Sequence, residues 1–161
     1  GKATSGILDG RYLRNGPNPI DDTDPGDHHW FLGDGMVHGI RLGGGRAQWY
    51  RNRYVRTCAT RAALGEGPAG ATLHTPSGAR GDTNVIGHAG RTLALIEGGL
   101  PPRRLDEELE TLGICDFGGT IRGAYSAHPH RDPDTGELRA VSYHFGMGNH
   151  VEYSVVDGTG R

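Results

Sequence analysis

Apolar positions recur at every second residue in short runs broken by glycine, and a helical period is nearly absent. Residues 36–42 form one such run, followed by Gly43-Gly44-Gly45 and a second run over 47–56, which predicts a hairpin closed at a glycine turn. In the second run Trp49, Arg51, Arg53 and Val55 alternate with Tyr50, Asn52 and Tyr54, placing two sets of side chains on opposite sheet faces. A second hairpin is predicted from 84–88 through Ala89-Gly90 to 92–97. A third runs from 138–145 across Gly146-Met147-Gly148 to 150–156. Residues 59–80, rich in Gly, Ala and Pro, read as a loop with room for a short helical turn. Only 101–112 reads as a helix, behind a Pro101-Pro102 start.

The strand groups also repeat faintly. Setting Glu97-Gly98 on Phe145-Gly146 aligns 105–113 with 153–161, and both copies read as turn, strand, Gly and a further strand. A period of about 40–50 residues in an all-β chain is that of propeller blades, although a plain antiparallel meander gives the same pattern.

Composition narrows the class. At 161 residues the chain is one domain in size. Its 29 glycines and 9 prolines, set between recurring strand runs, indicate many tight turns rather than disorder. A net charge of -2, with Lys and Arg scattered among Asp and Glu, gives no footprint for nucleic acid. No run approaches the roughly 18 apolar residues of a membrane span. The first residues carry no signal-peptide core and no initiator Met, so the expectation is a cytoplasmic protein of which this is a processed, trimmed or internal piece. Cys58 and Cys115 lack metal-site spacing and are expected as structural or free thiols, though the pattern would also allow them to pair.

Nine histidines are many for such a chain, and imidazole is the commonest metal ligand. The strongest local context is Ala127-His128-Pro129-His130-Arg131-Asp132-Pro133-Asp134-Thr135-Gly136-Glu137. A residue before proline has a restricted, extended backbone, so the direction of the His128 imidazole is well fixed. That suits a metal ligand, and it equally suits a rigid hydrogen-bonded loop histidine. His28-His29 sits in an acidic stretch and reads as a solvated loop, while His38 shares a strand face with Met36 and Ile40 and reads as buried packing. His74, His88, His144 and His150 have no partner at ligand spacing. Phosphate-loop and nucleophile-elbow contexts are both missing.

Several longer motifs, taken in order, are more specific. Gly10-Arg11-Tyr12-Leu13-Arg14-Asn15-Gly16-Pro17-Asn18-Pro19 resembles the opening signature of the carotenoid cleavage oxygenases. His29-Trp30-Phe31-Leu32-Gly33-Asp34-Gly35-Met36-Val37-His38-Gly39 and Tyr50-Arg51-Asn52-Arg53-Tyr54-Val55-Arg56-Thr57 resemble that family's next blocks. Asp82-Thr83-Asn84-Val85 and Ala127-His128-Pro129 continue the series, so the resemblance spans most of residues 10–161.

The resemblance implies an all-β fold, with residues 1–161 forming about the N-terminal third of a seven-bladed β-propeller and the remaining blades missing. It implies one Fe(2+) per complete subunit, held on the propeller axis by four histidines, with glutamates hydrogen-bonded to ligand imidazoles. By position, His128 matches the first iron ligand and Glu97 the first of those glutamates, whereas His130 carries nothing over. The other three ligands fall beyond Arg161. The implied reaction is cleavage of a conjugated double bond of a carotenoid, apocarotenoid or stilbene by dioxygen, without an organic cofactor. The isolated chain is expected to be inactive. An apolar polyene substrate further implies peripheral contact with membranes. A non-catalytic β-propeller binding module, or a zinc hydrolase built on His128 and His130, are the competing expectations.

Overall fold

The computed structural model describes residues 8–22, 24–26, 29, 33–67, 83–97, 100–121, 125–143 and 148–161. Three antiparallel sheets and one short helix make up these residues. The first sheet has the order β1-β2-β3, from Gly10–Pro17, Gly35–Gly43 and Arg46–Tyr54. Helix α1 (Cys58–Ala63) follows, with Thr57 capping it through its side chain. The second sheet is the meander β4-β5-β6-β7, from Asn84–His88, Arg91–Leu95, Arg103–Leu105 and Thr111–Ile114. The third joins β8 (His130–Arg131), β9 (Leu138–Ser142) and β10 (Glu152–Val156) in the order β10-β9-β8. No helix among the described residues is long and apolar enough to cross a membrane.

The predicted hairpins form. Gly44 and Gly45 both adopt positive φ (57° and 73°), as do Ala89 and Gly90 (48° and 70°). That is the backbone a two-residue turn needs to match strand twist. In the third hairpin, β9 and β10 pair as expected, while 144–147 lie outside the described residues.

The helix expected over 101–112 is not formed. Arg103 and Leu105 instead pair with Ala94 and Thr92 of β5. Asp106 then turns the chain, its Oδ1 accepting from the amides of Glu108 (3.0 Å) and Glu110 (2.8 Å) while Leu109 takes φ 69°. Strand pairing that buries Arg103 and Leu105 outweighs the modest helix propensity of the segment. A matching turn follows β10, where Asp157 Oδ1 accepts from Thr159 (2.9 Å) and Arg161 (3.1 Å). The repeat in the sequence is therefore a repeat of sheets. Its register is corrected, because Asp106 corresponds to Asp157, whereas the overlay had set Leu105 against Tyr153.

The sheets stack through two apolar layers. Ala94 and Leu105 on one face of the middle sheet pack with Val37, Val55 and Leu109, with Leu13 against them. Leu93 and Leu95 on the other face pack with Phe117, Tyr125, Ala127, Leu138 and Val156. Strand β5 is thus buried on both sides, which explains its unbroken apolar run. Polar side chains bridge the layers. Arg11 donates to Thr92 Oγ1 (2.6 Å), and His88 Nε2 lies 2.8 Å from the Asp157 carbonyl. Cys58 and Cys115 are free thiols.

Two local features yield predictions. A Cβ on Gly33 would lie 2.5 Å from Pro17 Cβ and 2.9 Å from the backbone nitrogen of Asn18, so Gly33 lets the first two motifs touch. Gly33→Ala must push the backbone apart, and an overpacking loss of about 1–3 kcal/mol is expected from thermal denaturation. An unchanged midpoint would show that the contact yields freely.

Tyr125 is 1% exposed, and its hydroxyl has no hydrogen-bond partner among the described residues. Burial, with the Cys115 thiol contributing, pushes its phenol up from 10.0 to about 12. The folded state therefore keeps a proton that the unfolded chain loses near pH 10. Its contribution is intact below pH 10 and disappears as pH rises towards 12. Tyr125→Phe should flatten that alkaline loss and stabilise the protein by about 1 kcal/mol at neutral pH. Melting curves at pH 8 and about pH 11 separate the two effects, and a destabilised Phe variant at both would contradict them.

Candidate functional site

The segment around His128 gathers residues from three of the sequence motifs, together with Glu97. Ala127 is fully buried, and side chains of the middle sheet hold both its backbone groups. Its N–H donates to Glu97 Oε2 (3.1 Å), and its carbonyl accepts from Asn84 Nδ2 (2.9 Å), from 43 positions away in the chain. The His128 N–H donates to the buried Ser126 Oγ at 3.1 Å. Asn84 is anchored in turn. Its Oδ1 accepts from the Val85 amide (2.8 Å), and its carbonyl accepts from Asn15 Nδ2 of β1 (3.0 Å). Glu97 leaves the end of β5 with its N–H on Thr83 Oγ1 (3.1 Å). Buried polar groups are thus paired where they hold this corner, as low-dielectric surroundings demand.

His128 is exposed, and its imidazole has no hydrogen-bond partner among the described residues. The described residues contain no group of three or more His, Cys, Asp or Glu able to hold a metal ion. One imidazole on a restrained backbone fits iron(II) as a single ligand, and this stretch does not complete a site. The Glu97 carboxylate contacts the backbone before His128 rather than the ring of His128 itself. Among the described residues, Glu97 is hydrogen-bonded to no other imidazole.

The remaining histidines separate clearly. His38, expected to be buried, is half-buried, its Nδ1 2.7 Å from the Tyr50 hydroxyl, because its face of β2 looks away from the middle sheet. His88 is buried and structural, with Arg131 Nη1 3.2 Å from its Nδ1. His29, His130 and His150 are exposed, and His28, His74 and His144 lie outside the described residues. His130 opens β8, so a short ladder with β9 starts directly after Pro129. Sequence reasoning missed Asn84 and Asn15 as parts of the corner. Both stand in quoted motifs, yet their hydrogen-bond partners are distant in the chain.

Comparison with known proteins is consistent with this geometry. The family model described as retinal pigment epithelial membrane protein matches residues 6–161. A carotenoid cleavage oxygenase of Mycobacterium tuberculosis is 58% identical over 157 residues, covering 96% of this chain and 31% of that protein. The chain thus spans about a third of the length of the curated relatives it matches. The lignostilbene dioxygenase of Pseudomonas brassicacearum superposes with a TM-score of 0.81 and 31% identity, over 99% of this chain and 36% of that one. A variant of the Synechocystis apocarotenoid oxygenase superposes with a TM-score of 0.78 and 26% identity, over 99% and 38%. The three stacked sheets, the ordered motifs and these matches agree: the chain belongs to the carotenoid oxygenase family and forms part of its β-propeller.

Proposed function

We propose that the complete protein is a non-haem iron(II) dioxygenase that cleaves a conjugated carbon–carbon double bond of a carotenoid, apocarotenoid or stilbene. The observation that carries the reading is the exposed imidazole of His128 on a backbone tied down at both groups of the preceding residue. His128 would donate one lone pair to the metal, and Glu97, with one oxygen on Ala127, keeps its other oxygen free among the described residues to orient a neighbouring imidazole. Bound iron(II) would supply dioxygen activation beside the double bond. The carbon–carbon bond breaks, each carbon gains one oxygen atom, and two carbonyl products leave. An apolar substrate of this kind fits collection at a membrane surface by a cytoplasmic enzyme. The 161-residue stretch by itself is proposed to be inactive, since a lone imidazole ligand cannot retain iron.

The test is metal analysis and product analysis on the full-length protein. Labelled dioxygen with a panel of carotenoids, apocarotenoids and stilbenes should give pairs of carbonyl compounds, each carrying one labelled oxygen. An iron-free full-length protein that binds a polyene without converting it would favour the non-catalytic binding module. Stoichiometric, tight iron on the 161-residue chain alone would overturn its reading as an incomplete site.

A further inference from the structure

We propose that Asn84 is a positioning residue for the metal site, acting on His128 through the Ala127 carbonyl; this rests on the iron-ligand reading of His128 given above. The Ala127–His128 peptide is planar, so fixing its two polar atoms fixes the plane from which the His128 side chain springs. Asn84 Nδ2 holds the carbonyl end at 2.9 Å, and Ser126 Oγ holds the N–H end at 3.1 Å. Glu97 holds the preceding peptide through the Ala127 N–H at 3.1 Å. Pro129 restricts the His128 backbone on the other side. What stays adjustable is chiefly the side-chain torsions of His128. A ligand that must meet others from elsewhere in a protein benefits from such restraint, because misplacement weakens every bond to the metal.

The chemistry explains why an amide stands at position 84. Its oxygen accepts from the Val85 amide at 2.8 Å while its nitrogen donates to the Ala127 carbonyl. Only a side chain with both functions satisfies both partners. A carboxylate would keep the first bond, lose the second and set a negative oxygen against the carbonyl. Asn15 Nδ2, on the Asn84 carbonyl at 3.0 Å, ties the same residue to the first sheet, so the tether has a rigid base.

The test uses the full-length protein loaded with cobalt(II), whose visible absorption reports the geometry of its ligands. Asn84→Asp and Asn84→Ala are expected to lower cobalt affinity by about 10–100-fold, as loss of outer support for a ligand does, and to alter the absorption bands. The melting temperature of the metal-free protein should fall by no more than about 2–4 °C. Thr111→Val removes another hydrogen bond between sheets, 2.9 Å from the Arg56 amide, and should leave affinity and bands unchanged. Wild-type cobalt affinity and spectrum in both Asn84 variants would overturn the proposal, as would failure of both to fold, since either marks Asn84 as structural only. His128→Ala keeps the two readings apart. If it loses cobalt while the Asn84 variants retain it, only the positioning role fails. If it binds cobalt like wild type, the iron-ligand reading fails too.

Discussion

Alanine at position 128 should leave the full-length protein folded but unable to retain iron or cleave a polyene. Folding should survive because the His128 ring makes no hydrogen bond to a described residue, and in the 161-residue chain, where it is exposed, the stability change should stay within about 0.5 kcal/mol. Metal retention should not. Removing a group that merely supports a ligand costs about 10–100-fold in affinity, and removing the ligand itself should cost more. His130→Ala, also exposed and two positions on, is expected to behave as wild type. Iron content after dialysis against a weak chelator, followed by product formation, distinguishes the outcomes. Equal losses in both variants would favour the zinc-hydrolase expectation, which uses the two imidazoles together, and no loss in either would remove His128 from the site.

The second large effect is expected in the layer that holds this corner. Phe117 is fully buried, and its ring centroid lies 5.1 Å from that of Tyr125, between the middle and third sheets. Phe117→Ala should destabilise the protein by about 3–5 kcal/mol, the transfer loss plus an unfilled cavity. That is a large share of the 5–15 kcal/mol by which domains are typically stable. Soluble yield should fall, and the urea midpoint should shift strongly to lower concentration. Phe117→Leu, which keeps much of the volume, should lose far less. A shift equivalent to less than about 1 kcal/mol for alanine would mean that the Phe117 loop is not part of the joint between sheets.

The strands were largely legible because each hairpin declares itself locally. Alternating apolar positions and a turn able to take positive φ at Gly44-Gly45 or Ala89-Gly90 are both short-range facts. Residues 103–105 were not legible, since Pro-Pro followed by Arg, Leu and Glu suits a helix start as well as a strand. Pairing with Ala94 and Thr92 decided between them. The turn at Asp106 did carry a signal, an Asp whose carboxylate can cap amides two and four residues on, and Asp157 repeats it. Of the candidate site, His128 could be read from the proline that follows it and from the family motif. Of its support, Glu97 could be matched to the family, but the grip of Asn84 on Ala127 could not be read, because it reaches across from another part of the chain.

The sequence by itself determined that the chain is all-β, where most of its turns fall, and which imidazole stands on a restrained backbone. Those outcomes depend on side-chain alternation, on φ preferences and on the ring of Pro129, all of which act within a few residues. Tertiary structure alone decided that β5 is buried on both faces, that His38 turns outward, and that an asparagine grips the residue before His128. Each of these depends on which sheet lies opposite, and contacts made across tens of residues leave no periodic trace in the chain.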